Sequence, residues 1–215
     1  MKKVTLFLLL LFPVCLFAQI GVKAGLNFAQ VSKASDINAG SKSGFNVGVF
    51  LEPPYAKMLS SVTELIFSRQ GYNYTTATNS GDVNLDYLQL STHLSINLTK
   101  FFSLMFGAQT AILLNAKVDS SKETTPGVPP EYGELMNLYN RFDYGYAIAA
   151  EGHPVLGLVV GVRYNVSLAK LYKDIQTLQP PSFTSQDARN NVVQLYAGWR
   201  FGSSRQKPPK AVPSQ

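Results

Sequence analysis

Apolar residues alternate with small or polar residues along most of the chain after residue 18. A period of two places successive side chains on opposite faces of a β-strand, whereas an amphipathic helix repeats every 3.6 residues. Ile20, Val22 and Ala24, for example, are separated by Gly21 and Lys23. Eight segments share this pattern and predict eight strands, at about residues 20–29, 44–52, 58–74, 87–97, 102–117, 141–151, 156–167 and 193–201.

The lengths of these segments and of their connections indicate a membrane-spanning structure. Most segments have about ten residues or more, close to the 9–11 that a tilted strand needs to cross a bilayer and longer than a typical globular strand. The short connections are 52–57, 98–100 and 152–154, and the long polar ones are 30–43, 75–83, 118–136 and 170–188. Short turns at one end and long loops at the other are typical of an outer-membrane barrel with periplasmic turns. The predicted fold class is therefore all-β, an eight-stranded antiparallel up-and-down transmembrane β-barrel.

The polar faces of the strands predict what fills the barrel. They carry mainly Gly, Ser, Asn, Gln and Ala with scattered charges, while the apolar faces carry almost no charge. An eight-stranded barrel has an interior just wide enough for side chains to fill. We therefore expect Lys23, Glu64, Arg163 and Arg200 to pair inside the lumen, where inner-face glycines make room for them.

Two strands have less regular faces. The third strand places Glu64 on one face together with the apolar Val62 and Ile66, so its alternation is blurred. In the fifth strand, the alternation predicts that Asn115 and Lys117 point into the lumen.

A secreted soluble barrel of the lipocalin type is the main alternative fold. Such a barrel also alternates and can also have eight strands around an apolar ligand. Its outer face would be polar and rich in Lys and Glu, whereas the polar faces here are poor in both. Small residues are better suited to a crowded interior, which favours the membrane barrel.

The two ends of the chain differ in composition from the alternating region. Lys2 and Lys3 precede an apolar run, and small or apolar residues lead to Ala18, as in a secretory signal peptide. Pro13 and the polar pattern after residue 18 argue against a membrane anchor. We predict a signal peptide at 1–18, a barrel domain at 19–201 and a disordered Pro- and Lys-rich tail at 202–215.

Charge and cysteine content exclude several classes of protein. Removing Lys2 and Lys3 leaves 17 basic and 13 acidic residues, a net charge of +4, which is too mild for a nucleic-acid binder. The single cysteine, Cys15, falls in the predicted signal peptide. Disulfides therefore cannot stabilise the mature chain.

The residues with catalytic or metal-binding chemistry do not form a recognisable site. His93 lies between Ser91 and Ser95 on an inner face, and we expect it to form hydrogen bonds in the lumen rather than to activate a serine. His153 is expected to be a solvated turn residue. The acidic residues in or near the predicted loops lack EF-hand spacing and are expected to be solvated; they are Asp82, Asp86, Asp119, Glu123, Glu131 and Glu134. We predict no catalytic residue, cofactor or metal site.

Aromatic residues cluster near both ends of the strands, as expected for the two interfaces of a bilayer. The set predicted for the long-loop end is Phe28, Phe45, Tyr72, Tyr74, Tyr87, Tyr139, Phe142 and Tyr172. The set predicted for the short-turn end is Tyr55, Phe101, Phe102, Trp199 and Phe201. The two sets predict two aromatic girdles.

Five short segments carry a family resemblance: 19–27 (QIGVKAGLN), 63–71 (TELIFSRQG), 85–90 (LDYLQL), 142–145 (FDYG) and 162–165 (VRYN). With them, the chain resembles the outer-membrane β-barrel domain common in Bacteroidetes, which includes barrels of the PorT type. The resemblance spans about residues 19–201 and implies the barrel fold, without implying a specific function. It also implies that Phe201 serves as the terminal assembly signal, although a tail follows it here.

We expect a structural or surface-interaction role through the extracellular loops. The expected partners are outer-membrane lipid and, during insertion, the barrel-assembly machinery. A barrel that serves a secretion or assembly machine and a narrow channel are the two alternatives within the same fold. A filled lumen argues against the channel.

Overall fold

The computed structural model describes residues 19–34, 38–53, 58–75, 80–120, 136, 138–173 and 187–202. The eight strands within these ranges are β1 (Gln19–Ser32), β2 (Asn38–Glu52), β3 (Leu59–Thr75), β4 (Ser80–Asn97), β5 (Phe102–Ser120), β6 (Phe142–Gly152), β7 (Leu158–Ser167) and β8 (Arg189–Arg200). The predicted signal peptide at 1–18 and the tail from residue 203 lie outside the described residues, as do Tyr55, Glu123, Glu131 and Glu134.

The strands form a closed antiparallel barrel in which each strand pairs with its neighbours in sequence and β8 returns to β1. Closure pairs every strand on both sides, which a lipid environment demands because it offers no hydrogen-bond partner to a free edge. The predicted number of strands and the up-and-down order are confirmed. Among the described residues, no helix is long and apolar enough to cross a membrane.

From the short-turn end up to the level of Arg69 and Asp86, the barrel wall is apolar outside and mainly polar inside, with one buried apolar cluster that includes Phe50 and Tyr196. We call this part the membrane barrel. Leu65, Leu90 and Leu195 point outward and are about half exposed, while Lys23 and Glu64 point inward and are buried. This arrangement is the one that lipid outside and a side-chain-filled interior require.

Above that level, the wall of β3, β4 and β5 exchanges the character of its two faces. Outward-pointing Arg69 forms a two-bonded ion pair with Asp86, with nitrogen–oxygen distances of 2.7 and 3.1 Å. Tyr72 and Leu85 point inward and are fully buried. We call residues 69–75, 80–86 and 115–120 the extension. Its polar exterior and apolar interior match a wall that stands in water.

The exchange of faces explains why some strands are longer than the sequence pattern predicts. The long polar loop predicted at 75–83 is wrong, because β3 continues to Thr75 and β4 begins at Ser80. β2 similarly begins at Asn38, within the loop predicted at 30–43. Polar residues in these stretches are the outer face of a strand in water, and their composition alone resembles that of a loop.

A β-bulge corrects the predicted faces of β5. Tyr87 pairs with Leu113, and the next residue of β4, Asp86, pairs with Asn115, so Leu114 is the extra residue. A one-residue insertion moves every later side chain to the opposite face. Lys117 is therefore exposed rather than inside the lumen, and the Asn115 amide donates to the Asp86 carboxylate at 3.3 Å.

The aromatic girdle at the long-loop end is only partly as predicted. Phe28, Phe45 and Phe142 are 41–55% exposed on the outer surface. The other predicted members are buried in the interior; they are Tyr72, Tyr74, Tyr87, Tyr139 and Tyr172. At the short-turn end, the described members are all exposed; they are Phe101, Phe102, Trp199 and Phe201. The tyrosines that differ all belong to the apolar cluster that fills the interior in and next to the extension.

Candidate functional site: the filled lumen

A four-residue cluster of buried charges occupies the lumen of the membrane barrel. The Lys23 ammonium donates to Glu64 at 2.6 Å and to Glu151 at 3.2 Å. Glu64 also accepts a hydrogen bond from the Arg163 guanidinium at 2.7 Å and forms a second ion-pair contact with it at 2.6 Å. The four side chains come from β1, β3, β6 and β7, so their contacts connect strands that are not neighbours in the wall.

Aromatic rings complete the surroundings of these charges. The Lys23 ammonium lies 4.7 Å from the Phe50 ring centroid and 4.5 Å from that of Tyr196. The Tyr196 hydroxyl donates to Glu151 at 2.8 Å, and Arg163 lies 5.1 Å from the Tyr196 ring. Cation–π contacts of this kind strengthen when the cation is desolvated. We call Lys23, Glu64, Glu151, Arg163 and Tyr196 the lumen network.

Glycines on the inner wall create the space for the two rings. A Cβ atom at Gly21 would lie 2.1 Å from the Phe50 ring, and one at Gly161 would lie 2.6 Å from the Tyr196 ring. Any larger residue would displace the aromatic side chain. Small inner residues therefore accommodate large ones, although the immediate neighbours of these glycines are aromatic rather than charged.

Arg200 does not join the other three residues that were predicted to pair in the lumen. Its guanidinium instead contacts Glu52 at 2.6 Å, near the short-turn end. The registers explain this pairing, because Gln19 of β1 pairs with Glu52 and nearby Gly21 pairs with Arg200. Arg200 thus forms an ion pair on the inner face, as expected, but with a partner outside the predicted set of four.

The two histidines also differ from expectation. His93 is fully buried in the lumen, as its face predicts, but its ring nitrogens have no hydrogen-bond partner among the described residues. Ser91 and Ser95 bond instead to Gln89 and Asn97. His153 is not simply solvated, because its Nε2 lies 3.1 Å from the Ser103 hydroxyl and its backbone amide donates to Phe101.

A layer of uncharged polar side chains lies above the lumen network. Asn27 donates to the Ser68 hydroxyl at 2.9 Å and accepts from Asn46 at 2.7 Å and Gln194 at 3.1 Å. Gln89 donates to Gln109 at 2.8 Å. The hydrogen bonds of Asn27 connect β1, β2, β3 and β8, and the Gln89–Gln109 bond connects β4 and β5. The layer separates the charged layer from the apolar interior above it.

Three tyrosines close the lumen at the height of the extension. The hydroxyls of Tyr139 and Tyr172 both meet that of Tyr72. Tyr139 and Tyr172 also form an isolated β-bridge, with ring centroids 5.0 Å apart. Burial raises the pKa of Tyr139 to about 12, so its hydroxyl stays protonated at physiological pH. We call Tyr72, Tyr139 and Tyr172 the tyrosine cap.

The cap is the centre of a larger apolar cluster. Its buried neighbours are Val31, Tyr74, Val83, Leu85, Tyr87, Ala111, Leu113, Ala116, Leu171 and Ala188. These side chains come from β1, β3, β4 and β5 and from the segments before β6 and after β7. The lumen is thus occupied at three successive heights by charged, amide and apolar side chains.

Sequence reasoning missed three members of this arrangement. Glu52 and Glu151 lie on the predicted inner faces, and the need of buried Lys and Arg for acidic partners was the signal that could have found them. Tyr196 also lies on the predicted inner face of β8. The cap was missed because its tyrosines were assigned to the membrane interface.

The described residues contain no group of three His, Cys, Asp or Glu side chains that could hold a metal ion. The lumen network pairs two cations with two carboxylates inside a closed wall. Such an arrangement can connect distant strands and block the lumen.

Comparison with known proteins identifies the family. Residues 13–173 match the family model described as "Outer membrane protein beta-barrel domain". No curated protein gives a significant sequence match. Solved barrels with a similar fold include Ail, the attachment invasion locus protein of Yersinia pestis, at 16% identity with a TM-score of 0.46, covering 86% of this chain and 99% of that one.

Two further solved structures show the same similarity at low identity. Neisserial surface protein A has 16% identity and a TM-score of 0.49, covering 85% of this chain and 97% of its own. OprG from Pseudomonas aeruginosa has 7% identity and a TM-score of 0.41, covering 86% of this chain and 96% of its own. The closed eight-stranded wall and the family match agree, and the chain belongs to the outer membrane protein β-barrel domain family and resides in the cell outer membrane.

Proposed function

We propose that this barrel is a sealed outer-membrane protein with a structural or surface-interaction role, exerted through its extracellular loops. The observation that carries the proposal is the filling of the lumen at three heights, by the lumen network, the amide layer and the tyrosine cap. A lumen filled in this way offers no path for a solute.

With the lumen filled, the extracellular loops are the part of the molecule that can contact a partner. The two long connections of the extracellular side, 121–135 and 174–186, are bounded by rigidly paired segments. Asn140 donates to the carbonyls of Lys170 and Tyr172 at 2.8 and 3.0 Å, and the amide of Lys173 donates to Leu138 at 3.0 Å. The segment that follows the first loop is therefore hydrogen-bonded to the segment that precedes the second, which favours presentation of the loops to a partner.

Conductance measurements test the sealed lumen. We expect purified barrel in a planar bilayer to show little or no steady conductance. Glu64→Gln should introduce a leak, because Lys23 and Arg163 both lose a carboxylate partner, whereas Asp82→Asn on the outer surface should stay silent. Large, stable ion steps from the unmodified protein would refute the proposal and favour a channel.

A second experiment tests the role of the loops. Residues 174–186 are replaced by a Gly-Ser segment of equal length, and intact cells are treated with a crosslinker that does not cross the membrane. We expect the wild-type barrel to yield a crosslinked surface complex that the variant loses, while both proteins remain folded. Retention of the same complex by variants of both long loops would overturn the loop-mediated role.

The proposal extends to the export of the chain and its insertion into the outer membrane. We propose cleavage of a signal peptide before Gln19, insertion by the barrel-assembly machinery, and membership of the Bacteroidetes group that includes the PorT-type barrels. The apolar run after Lys2 and Lys3 supports the first step. Mass spectrometry of the outer-membrane fraction should find a chain that begins at Gln19, and an intact Met1 terminus there would refute processing.

A further inference from the structure

An open pocket lies on the outer wall of the barrel where the short strands β6, β7 and β8 end on the extracellular side. Its volume is about 580 Å³. Its lining includes the aromatic rings of Phe142 and Tyr144, the side chain of Leu168, and the three basic residues Lys170, Lys173 and Arg189. We call these six residues the rim pocket. It opens on the outer surface, where Phe142, Tyr144 and Leu168 are exposed, and Tyr172 of the tyrosine cap lies behind it.

Two of the three basic side chains of the rim pocket, Lys173 and Arg189, have no ion pair among the described residues. Lys173 is exposed. The Nε of Arg189 is buried and, within the described part of the chain, has no hydrogen-bond partner. Lys170 contacts Asp187 at 3.2 Å, but its side chain is 48% exposed. An oxyanion in the pocket would gain charge-assisted contacts from the Arg189 guanidinium and from the two lysines.

The backbone around the rim pocket is held in place by hydrogen bonds. The amide of Leu168 donates to Tyr144 at 2.9 Å, and that of Leu171 donates to Ala188 at 2.8 Å. The amide of Asn140 donates to Leu171 at 3.0 Å. The pocket is therefore formed before any ligand binds, which lowers the entropic cost of binding.

The aromatic side of the pocket suits a sugar ring beside the charged group. The rings of Phe142 and Tyr144 stack with their centroids 6.4 Å apart and 29° between their planes. Both rings are about half exposed. Their flat faces can pack against the apolar face of a saccharide, while the tyrosine hydroxyl stays at the polar boundary.

The position of the pocket relative to the membrane indicates which kind of ligand it can bind. Arg189 lies at the top of β8, and the next outward residues below include Val193 and Leu195, which are exposed to lipid. Leu168 directly follows β7 and stands above Val166 and Tyr164 of that strand. A ligand in the rim pocket thus places its charged group at the headgroup level of the outer leaflet and its apolar part against the barrel wall.

We propose that the rim pocket binds the phosphorylated saccharide headgroup of an outer-leaflet glycolipid. Arg189 and Lys173 contact phosphate oxygens, Phe142 and Tyr144 pack on the sugar, and the acyl chains lie over Leu168 and the wall below it. The proposal does not depend on whether the lumen conducts. A soluble sugar phosphate shares the headgroup chemistry but lacks the acyl chains.

Binding measurements on the full-length mature barrel in detergent micelles test the proposal. The probes are diphosphorylated lipid A, the same lipid with both phosphates removed, and soluble glucosamine 1-phosphate. We expect the diphosphorylated lipid to bind at least about tenfold more tightly than either of the others, because charge-assisted contacts and acyl burial both contribute. Equal affinity for the lipid without phosphates would overturn the headgroup contact, and equal affinity for glucosamine 1-phosphate would overturn the choice of a lipid.

Charge-matched variants distinguish the rim pocket from general attraction between charges. The double variant Lys173→Gln/Arg189→Gln should lose about tenfold or more in affinity for diphosphorylated lipid A. The control Lys117→Gln/Lys100→Gln removes the same net charge at two exposed positions outside the pocket and should change affinity less than about twofold. The heat-dependent shift of the folded barrel on a denaturing gel verifies that each variant is folded. A folded Lys173→Gln/Arg189→Gln variant with unchanged affinity would refute the site.

Discussion

The membrane barrel and the extension share strands β3, β4 and β5 but carry their apolar residues on opposite faces. In the membrane barrel, β4 points Leu90 outward and Gln89 inward. In the extension, the same strand points Asp82 outward and Leu85 inward. The backbone alternation is continuous through β4, so only the chemistry of the residues changes. The comparison shows that the outer solvent, lipid or water, decides which face is apolar.

The interiors of the two regions are stabilised by different forces. The lumen network consists of buried ion pairs, whose gain in Coulomb energy is offset by the cost of removing charges from water. The tyrosine cap and its neighbours bury apolar surface, as the core of a soluble protein does. Substitutions should therefore be costly in both interiors, but for different reasons.

Loss of one carboxylate from the lumen network should have the largest effect. Glu64→Ala leaves Arg163 without its two contacts to Glu64 and Lys23 with Glu151 alone. We expect the free energy of unfolding to fall by about 3–5 kcal/mol, since an unpaired buried charge remains. Urea unfolding in lipid vesicles measures the change. The control Asp82→Asn breaks a pair in which the Asp82 side chain is 53% exposed, and it should cost less than about 1 kcal/mol. Equal losses in the two variants would contradict the expected difference between a buried and an exposed carboxylate.

Truncation inside the extension should be the next most costly change. Leu85→Ala creates a cavity in the apolar cluster, and we expect a loss of about 2–5 kcal/mol in the same unfolding assay. Leu90→Ala shortens a side chain that faces lipid and leaves no cavity, so its cost should be clearly smaller. If Leu90→Ala cost as much as Leu85→Ala, the interior of the extension would not be a packed core.

A charge introduced on the outer face of β4 should destabilise the membrane barrel much more than the extension. Leu90→Lys places an ammonium in lipid and should destabilise the barrel by about 2–4 kcal/mol. Asn84→Lys makes a matched change on the same face of β4 in the extension and should be nearly neutral. Folding yield into vesicles gives a first readout and urea unfolding the magnitude. Tolerance of Leu90→Lys would mean that lipid does not reach this height.

The smallest effect should come from the pair at the boundary between the regions. Arg69→Gln removes the ion pair with Asp86, but the Arg69 side chain is 45% exposed. We expect a loss of less than about 1 kcal/mol that decreases further at high salt. A larger, salt-independent loss would show that the pair is shielded from water and that lipid extends above Arg69.

The fold was largely predictable because a period of two is a local signal. It requires no knowledge of which strands meet, and it correctly placed Leu90 outside and Glu64 inside. The faces of the extension were not predictable by a rule that assigns apolar residues to the outside, which is why Tyr72 was misplaced. The bulge at Leu114 and the pairing of Arg200 depend on register, and register is set by contacts between strands rather than by either strand alone.

Unequal strand lengths make the extracellular side of the barrel asymmetric, so that its opposite flanks differ in height. β3, β4 and β5 have 17, 18 and 19 residues, whereas β6, β7 and β8 have 11, 10 and 12. At about 3.3 Å per residue, a difference of roughly seven residues corresponds to more than about 20 Å along a strand. One flank therefore rises as a polar wall, while the opposite flank ends low, at the rim pocket. A neighbour that moves laterally in the outer leaflet meets a different protein surface on each flank. The orientation of the barrel therefore determines which surface a neighbouring molecule contacts.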